Sequence, residues 1–543
     1  KGNQKSDDGK VWVGGLQMSI QPDGTQLKVL GHNFRNSYET YIDGHGDMWQ
    51  NDNDDQVVTC RVSWLAEGGN AGYFSEDGTR FWNADQRPSQ DMFRAHWHQD
   101  DPKTMPAGDN SGAGSPTGML RNEGDALGIR YRGMLLSADA GRNVLFAYHP
   151  KRTQSGYNLK GGRSIFLSSN PSDDPSYEWN NKTFLEDKTK WFRPSDILVG
   201  TDGALYVSDW YDAVVGGHQI KDNKAYGRIY RISPKNKKLT NPKLDLESLA
   251  GQVNAFKNSA VNVRNQAYSK LLEGGEKNGE AVKKLAADTN PFIKSRALWL
   301  LAAMNGKGQN FVKQKLKMGS EEERIVAMRA MRSHLDQEQL VPIIQDKTND
   351  PSAFVRREAI LALENFDYKI KNPLLISFAK KIPTEDQYYI NAIAAQLQNH
   401  EEDFYLENKE LLDTKFDLLF ALHPNSSVPF FENIVKNPNE KLSRKQKAIT
   451  AIGFIKSTDA VKAMVNLQKS KDEAVAEMAA YWLSFRSTND WFDLYDWSKN
   501  KDDLEKQKQL TKLFGFKEKI LNNYVAFADR KRTALEMLKS QEG

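Results

Sequence analysis

Short apolar runs separated by turn sequences dominate residues 1–243. Two of the turns end in Asp-Gly, at Pro22–Gly24 and Thr201–Gly203. Residues Gly227–Pro234 alternate apolar and polar side chains, as the residues of a half-buried strand do. Further strand candidates lie at Gly133–Asp139, Asn143–Tyr148, Arg163–Ser169 and Ala204–Trp210. Because no amphipathic helix interrupts these runs, the pattern predicts many short antiparallel strands and disfavours a doubly wound α/β fold.

The recurrence of an Asp-Gly turn followed by a strand favours the blades of a β-propeller, with a β-sandwich as the alternative. One connection is unusually long, since residues 76–118 contain almost no strand signal. Loops of this length are more often functional than idle. In a propeller they would gather on one face, around the central channel.

From about Leu244 the apolar residues follow helical spacing and repeat about every 30 residues. A small or apolar residue recurs at equivalent places in eight helical segments: Ala267, Ala297, Ala327, Ala359, Ala392, Leu418, Ala448 and Ala479. This period predicts an α-solenoid of HEAT-like repeats over residues 244–484, following a propeller domain over residues 1–243. Residues 485–543 keep a helical composition but lose the period, which indicates a helical cap or a docking segment.

The composition excludes several classes of protein. The 543 residues include 75 basic and 71 acidic side chains, and this near-balance gives no sign of a nucleic-acid-binding face. The single cysteine, Cys60, excludes a disulfide scaffold, a cysteine-built zinc site and a c-type haem. No apolar run is long enough to predict a membrane span. Of the 38 glycines, 28 lie in residues 1–243, which supports a boundary near residue 243.

Eight motifs of the first region occur in a characteristic order. They are GHNFRNSYE (Gly31–Glu39), GDMWQNDNDD (Gly46–Asp55), EGGNAGY (Glu67–Tyr73), GAGSPTGM (Gly112–Met119), DAGRNVLFAY (Asp139–Tyr148), WFRPSDILVGTDGALYVSDWYD (Trp191–Asp212), GGHQ (Gly216–Gln219) and GRIYRI (Gly227–Ile232). Together they resemble the family of membrane-bound dehydrogenases of the sorbosone/soluble-glucose-dehydrogenase type. The resemblance covers residues 14–240 and implies a β-propeller, often followed by a HEAT-like region and in many members by a haem c domain, which this chain lacks.

The resemblance implies a sugar or alcohol dehydrogenase that depends on pyrroloquinoline quinone and calcium. Arg35 and Asn36 match a pair that contacts the quinone in similar enzymes, although Glu39 stands where those enzymes have glycine. A guanidinium beside a carboxamide suits a planar, anionic cofactor. Arg142 and Arg193 are further candidate cofactor contacts. The alternative for Arg35 is an ion pair with a carboxylate of a neighbouring blade.

Calcium has candidate ligands in Asn51, Asp52 and Asp54, which place hard oxygen atoms close together. Alternate residues of an extended segment point the same way, so Asp52 and Asp54 could share one ion. The spacing of an EF-hand is absent. The alternative is an Asx-rich turn satisfied by its own backbone.

Histidines supply the candidate base and one further metal site. His218 lies in the glycine-rich GGHQ loop and is the candidate catalytic base, because its side chain titrates near neutral pH. His96 and His98, followed by Asp100, could face one metal if the segment is extended. Loop histidines are more commonly solvated or packed.

Two functions without catalysis compete with the dehydrogenase. One is a propeller/solenoid scaffold that binds a protein partner along its helical repeats. The other is a carbohydrate-binding component of an envelope assembly, with Trp82 and Trp97 as stacking platforms. The resemblance also implies export to the periplasm or cell surface. It further implies six or more blades, whereas residues 1–243 have room for about four or five, so we expect upstream blades and any export signal to lie outside this chain.

Overall fold

The computed structural model describes residues 4–5, 11–76, 86–170, 187–213 and 226–497. The chain forms two compact units, one of Lys1–Ala71 with Met105–Gln396 and the other of Gly72–Thr104 with Leu397–Gly543. Strands give way to helices between Ile232 and Leu249, as the change in pattern predicted. The domain limits at residues 243 and 484 stay predictions.

The first region is built from short strands, which confirms its predicted class. The strands are β1 (Gln4–Lys5), β2 (Val11–Trp12), β3 (Gly15–Ser19), β4 (Lys28–Phe34), β5 (Thr40–Ile42), β6 (Met48–Asp52), β7 (Cys60–Leu65), β8 (Gly69–Asn70), β9 (Asp109–Gly112), β10 (Pro116–Arg121), β11 (Leu135–Asp139), β12 (Val144–Tyr148), β13 (Lys151–Thr153), β14 (Gly156–Asn158), β15 (Ser164–Ser168), β16 (Pro194–Val199), β17 (Leu205–Asp209) and β18 (Arg228–Ile232). Several strands are buried along their whole length, as in β6, β7, β11 and β12, so both of their faces are covered.

Four sheets of three or four strands make up most of this region. Their strand orders are β3-β4-β8, β5-β6-β7-β9, β10-β11-β12-β15 and β16-β17-β18, and two hairpins, β1-β2 and β13-β14, complete the set. Neighbouring strands are antiparallel except β4 and β8. Three sheets stand side by side, because β10 lies against β5 and β6 on one side and β16 on the other. The arrangement agrees with consecutive blades, and the propeller itself stays a prediction.

The remaining described chain is helical, as predicted. After α1 (Met92–His96), the helices are α2 (Leu249–Phe256), α3 (Val261–Glu273), α4 (Gly279–Leu285), α5 (Pro291–Ala303), α6 (Gly306–Met318), α7 (Glu321–Arg332), α8 (Gln337–Lys347), α9 (Ala353–Leu361), α10 (Tyr368–Ala379), α11 (Gln387–Ala395), α12 (Glu401–Glu407), α13 (Lys409–Leu412), α14 (Phe416–Leu422), α15 (Val428–Lys436), α16 (Leu442–Phe454), α17 (Thr458–Leu467) and α18 (Glu473–Arg486). No helix in the described ranges combines the length and apolarity needed to cross a membrane.

The predicted repeat positions lie in the helical core. All eight residues of the series from Ala267 to Ala479 are buried. Arg324, three positions before one of them, pairs through Nε with Asp350 Oδ2 at 2.9 Å, next to the start of the following repeat. Arg356 in that repeat donates to the Asp350 carbonyl at 2.7 Å. Asp350, at the junction of these two repeats, is thus bonded by an arginine from each of them.

Sheets and helices of the first unit share one hydrophobic core. Trp64 of β7 contacts Tyr388 of α11 with ring centroids 4.8 Å apart and Phe354 of α9 at 5.5 Å. Tyr157 of β14 packs against both Trp64 and Phe354. Because aromatic side chains bury large apolar areas, this cluster fixes α9 and α11, which belong to the fourth and fifth repeats, on the sheets.

The second unit combines part of the long loop with the later helices. Lys103 Nζ lies 3.2 Å from Glu76 Oε1 and 3.3 Å from Glu401 Oε1. The Arg87 guanidinium pairs with Asp101 and lies 5.1 Å from the ring centroid of Trp482 in α18. The loop is thus held by buried polar contacts within this unit.

Candidate ligand-binding cleft

A cleft of about 1170 Å³ lies between the sheets and the helices of the first unit. One wall contains β5, β10 and β16, each of which is the edge strand of its sheet. The opposite wall contains α3, α5, α7 and α9, from successive helical repeats. Typical small-molecule pockets measure about 300–1,000 Å³, so this cleft can hold a ligand larger than a single metabolite.

Glu123 joins the sheets to the first two helices of the helical wall. Its carboxylate accepts hydrogen bonds from Arg264 Nη1 at 3.1 Å and Nη2 at 3.2 Å, and it also pairs with Arg296. The Gly44 N–H donates to it at 3.1 Å. Burial would raise the pKa of Glu123, but Arg296 and Arg264 outweigh burial and lower it. Two arginines therefore neutralise this buried anion.

Arg329 makes a second junction on α7. Its Nη2 donates to Asp47 Oδ1 and to Glu358 Oε1, each at 3.0 Å, and its Nη1 donates to the His45 carbonyl at 2.9 Å. Tyr157 Oη donates to the other oxygen of Asp47 at 2.5 Å. Although burial opposes it, the Arg329 charge holds the pKa of Asp47 well below its usual range.

A third junction is centred on Glu67. Lys28 Nζ donates to its carboxylate at 2.6 Å, and Arg332 pairs with the other oxygen. Burial alone would raise the pKa of Glu67, but these cations lower it to about 2. We call the buried acids and their arginine partners the seam: Asp47, Glu67, Glu123, Glu358, Arg264, Arg296, Arg329, Arg332 and Arg357.

Two other carboxylates line the cleft, and we call Glu39 and Asp196 the acid pair. Glu39 Oε2 accepts the Met119 N–H at 2.9 Å, and Asp196 Oδ1 accepts the Ile197 N–H at 2.7 Å. Gly118, next to Met119 on β10, permits this approach, since a β-carbon there would lie 2.7 Å from Asp196 Oδ1. Within the described part of the chain, neither carboxylate is paired with a lysine or arginine.

The acid pair is the uncompensated charge of the cleft. Burial raises the pKa of Glu39; the hydrogen bond from Met119 opposes this shift, and the Asp196 carboxylate adds to it. Asp43, another acid of the wall, differs because it pairs with Arg121. An acid without a counter-ion beside a cavity is a candidate for contacting a ligand.

Aromatic and amide side chains face the cleft from the helices. Trp299 of α5 and Tyr268 of α3 are half-buried. Trp299 packs against Gly46, where a β-carbon would lie only 2.9 Å from Trp299 Cζ2. Asn262 and Asn265 are exposed on the same side of α3 as Tyr268, because residues three or four apart share a helix face. Among the described residues that line the cleft there is no histidine, cysteine or lysine.

Arg35 and Asn36, the predicted quinone contacts, lie outside this cleft lining. Arg35 Nε donates to Asp55 Oδ1 at 2.6 Å, and Nη1 donates to Asn53 Oδ1 at 2.5 Å. The backbone N–H groups of Arg35 and Asn36 donate to Asp52 at 3.1 Å and 2.7 Å. Arg35 is thus paired with a carboxylate in the segment between β6 and β7.

Asp52 is one of three aspartates that make the same type of hydrogen bond in three different sheets. Asp52, Asp139 and Asp209 each end the second strand of a sheet. Their carboxylates accept backbone N–H groups from the segment that leads into the first strand, with Ser115 donating to Asp139 and Arg193 to Asp209, each at 2.8 Å. We call these three residues the latch aspartates. The pKa of each is raised, because burial outweighs the hydrogen bonds.

The other candidate calcium ligands also have protein partners. Asp54 accepts the N–H groups of Gln56 and Val57, each at 3.1 Å, in an Asx-type turn. Asn51 Nδ2 donates to the Thr117 carbonyl at 2.8 Å and to Ser137 Oγ at 3.0 Å. Across the described ranges, no group of three or more His, Cys, Asp or Glu side chains is placed to hold a metal ion.

The two remaining candidate cofactor contacts, Arg193 and Arg142, donate to backbone carbonyls. Arg193 is fully buried and donates to the Asp212, Ala140 and Ala213 carbonyls at 2.7–2.9 Å. Arg142 Nη1 donates to the Ser111 carbonyl at 2.5 Å.

The histidines and tryptophans predicted as site residues are only partly within the described residues. His218 and Trp82 lie outside the described residues. Trp97 is fully buried, and His98 Nδ1 lies 2.8 Å from the Gly72 carbonyl.

The cleft residues carry little signal in the sequence. Glu39 stands out there only because it replaces a glycine, and nothing about Asp196 or Trp299 marks them as a site. They lie in distant parts of the sequence, and only the packing of helices on sheets brings them to one cavity. The latch aspartates do leave a signal, because each follows an apolar strand in WQND, LLSAD and LYVSD.

Comparisons with known proteins give a family match for part of the chain. Residues 1–236 match the model of a family described as a domain of unknown function, DUF7133. No curated protein matches.

Two solved structures are among those that share some similarity. A chain from Thermus thermophilus, assigned as an oxidoreductase (glucose dehydrogenase), is 14% identical with a TM-score of 0.23, covering 39% of this chain and 48% of its own. Human deoxyhypusine hydroxylase in complex with glycerol is 14% identical with a TM-score of 0.16, covering 44% of this chain and 85% of its own. This chain thus spans about half the length of the first. Likenesses this distant establish neither the fold nor the function.

Proposed function

We propose that this protein is a non-catalytic carbohydrate-binding protein whose sheets and helical repeats together form the binding cleft. The observation that carries the proposal is the lining of the 1170 Å³ cleft. Trp299 and Tyr268 offer aromatic faces to a sugar ring, while the acid pair and the exposed amides of Asn262 and Asn265 offer acceptors and donors to its hydroxyls.

The seam supports a binding function because it makes the cleft a preformed site. Glu123 and Asp47, in loops beside β10 and β6, are held by arginines of α3, α5 and α7, and the two acids are almost completely buried. Removing one partner of such a pair is strongly unfavourable, so the two walls stay in register. A preformed cleft loses less conformational entropy when a ligand binds.

The finer architecture and the location of the protein belong to the same proposal. We interpret the four sheets as blades of a propeller and the helices as a HEAT-like solenoid that carries a protein partner. Export to the periplasm or cell surface rests on the resemblance of residues 14–240 to exported dehydrogenases. It would place the cleft where envelope carbohydrates occur.

A quinone- and calcium-dependent dehydrogenase is the second candidate, supported by the eight ordered motifs. The described residues do not fit those groups: Arg35 is paired with Asp55, Asp52 is a latch aspartate, and Asp54 caps its own turn. These residues therefore fit a structural role, and their geometry supports no reaction step through either group. Turnover of a sugar with a redox dye, dependent on added quinone and Ca²⁺, would favour this candidate.

Calorimetric titration with soluble oligosaccharides tests the binding proposal. We expect the wild type to bind at least one trisaccharide and Trp299→Ala to lose about tenfold in affinity, since stacking on an aromatic face contributes up to about 1.5 kcal/mol beyond the area that it buries. Phe492→Ala is the control, because Phe492 is 69% exposed and does not line the cleft.

Three results would contradict the proposal. They are the absence of binding to any saccharide, binding that both Trp299→Ala and Tyr268→Ala leave intact, and cleavage of the bound saccharide. Cleavage would make the acid pair catalytic.

A further inference from the structure

The acid pair and the seam differ in how their charge is balanced, although Glu67 and Glu358 of the seam line the same cleft as the acid pair. Every seam acid has at least one arginine partner, with Glu358 bonded to both Arg329 and Arg357. Glu39 and Asp196 accept only backbone N–H groups among the contacts of the described residues. A ligand in the cleft therefore meets carboxylates that are paired with arginines along the seam and two carboxylates without a cationic partner among the described residues at the acid pair.

The surroundings of the acid pair make this charge available to a ligand. Asp196 is exposed, and the neighbouring Leu198 and Ile42 are about half exposed, at 51% and 50%. Ile42 belongs to β5, the strand that follows Glu39, and Leu198 to β16, as Asp196 does. The two carboxylates thus lie on an apolar, accessible part of the wall.

From this contrast we propose that the saccharide bound in the cleft carries a protonated amine, which the carboxylates of Glu39 and Asp196 hold while a ring stacks on Trp299 or Tyr268. The inference rests on the proposed carbohydrate-binding function and names its ligand class as cationic amino sugars. An ammonium donates up to three hydrogen bonds and relieves the repulsion between two carboxylates. Charge-assisted hydrogen bonds of this kind are about twice as strong as neutral ones.

Three trisaccharides that differ mainly in charge test the inference. The probes are the trimers of glucosamine, N-acetylglucosamine and galacturonic acid, which are cationic, neutral and anionic. At low salt we expect the glucosamine trimer to bind the wild type about tenfold more tightly than the acetylated trimer. Because screening weakens exposed charge pairs, we expect the difference to shrink as salt is added.

Isosteric variants then assign the preference to the acid pair. Glu39→Gln keeps an acceptor for the Met119 N–H, and Asp196→Asn keeps one for Ile197, so both variants should fold. Each is expected to remove most of the preference for the amine while leaving the affinity for the acetylated trimer within about threefold. Glu280→Gln is the control, because Glu280 is exposed on α4 and lies outside the cleft.

The outcomes separate this inference from the function on which it rests. Equal binding of the cationic and neutral trimers, abolished by Trp299→Ala, overturns the amine preference and leaves carbohydrate binding standing. Tightest binding of the galacturonic acid trimer overturns the preference in the same way. Absence of binding by all three overturns the amine preference, and absence of binding to any saccharide overturns the carbohydrate-binding function as well. An amine preference that survives both Glu39→Gln and Asp196→Asn overturns the assignment of these two residues.

Discussion

The seam and the acid pair are two sets of carboxylates at the cleft, which Glu67 and Glu358 of the seam line together with the acid pair, and the two sets differ in their partners. Glu67 has Lys28 and Arg332, and its pKa is lowered to about 2. Glu39 has a backbone N–H, and its pKa is raised. The difference teaches that the partner of each acid separates two structural settings: acids paired with arginines join the helices to the sheets, while the acid pair lines the cleft without a cationic partner among the described residues.

The largest expected effect comes from removing a seam acid. Glu123→Ala leaves Arg264 and Arg296 without their shared counter-ion, and both guanidiniums are largely buried. We expect the free energy of unfolding to fall by about 3–5 kcal/mol in chemical denaturation. Glu280→Ala, at an exposed position, is expected to change it by less than about 0.5 kcal/mol. Similar small losses in both variants would show that the seam does not hold the unit together.

Acid should weaken the seam over a defined range. The folded pKa of Glu67 is about 2, below the value of about 4.3 expected when unfolded. Its stabilising contribution is therefore complete above about pH 4.5 and is lost as pH falls toward 2, an effect of about 2–3 kcal/mol. Denaturation midpoints of the wild type and Glu67→Gln should converge as pH falls through this range. A constant gap between them would contradict the role assigned to Glu67.

The latch aspartates should matter less than the seam. Asp139→Ala removes the acceptor of the Ser115 and Arg142 N–H groups, so we expect a loss of about 1–3 kcal/mol. Asp52 occupies the same place in its own sheet as Asp139 does, and its carboxylate oxygens already accept hydrogen bonds from the protein. The thermal midpoint of the wild type should therefore be the same in Ca²⁺ and in EDTA. A rise of several degrees with Ca²⁺ would return Asp52 and Asp54 to the role of metal ligands.

The smallest effect on stability is expected at the acid pair. For an acid whose folded pKa is raised, the folded state disfavours the charged form, so ionisation costs stability as pH rises through the folded pKa. Glu39→Gln removes this cost and should leave the protein equally or slightly more stable at pH 7, within about 0.5 kcal/mol. A clear loss of stability, measured by thermal denaturation, would mean that Glu39 is a structural residue like Glu123.

Most of the strands and helices could be predicted from the sequence, whereas the residues of the cleft could not. The buried series from Ala267 to Ala479 was visible because a repeat places one residue type at one position in each helix pair. The short strands were visible because apolar runs end at Asp-Gly turns. Both signals depend only on the spacing of residues that lie close together in the sequence.

The cleft could not be read in this way because its residues come from distant segments. Glu39, Asp196 and Trp299 meet only when helices pack on sheets, and no spacing in the sequence records that contact. Asp52 illustrates the opposite difficulty, since an Asx-rich segment reads equally well as metal ligands or as backbone acceptors. Its hydrogen-bond partners distinguish a metal ligand from a backbone acceptor. Those partners are Arg61 and the N–H groups of Arg35 and Asn36.

A crystal structure of the wild-type protein with the glucosamine trimer would test the central claim most directly. We expect a sugar ring against Trp299 or Tyr268 and an amine nitrogen within hydrogen-bond distance of Glu39 or Asp196, with the seam pairs unchanged. A trimer bound elsewhere, or one whose amine contacts neither carboxylate, would contradict the claim that the unpaired acids of the cleft bind the ligand.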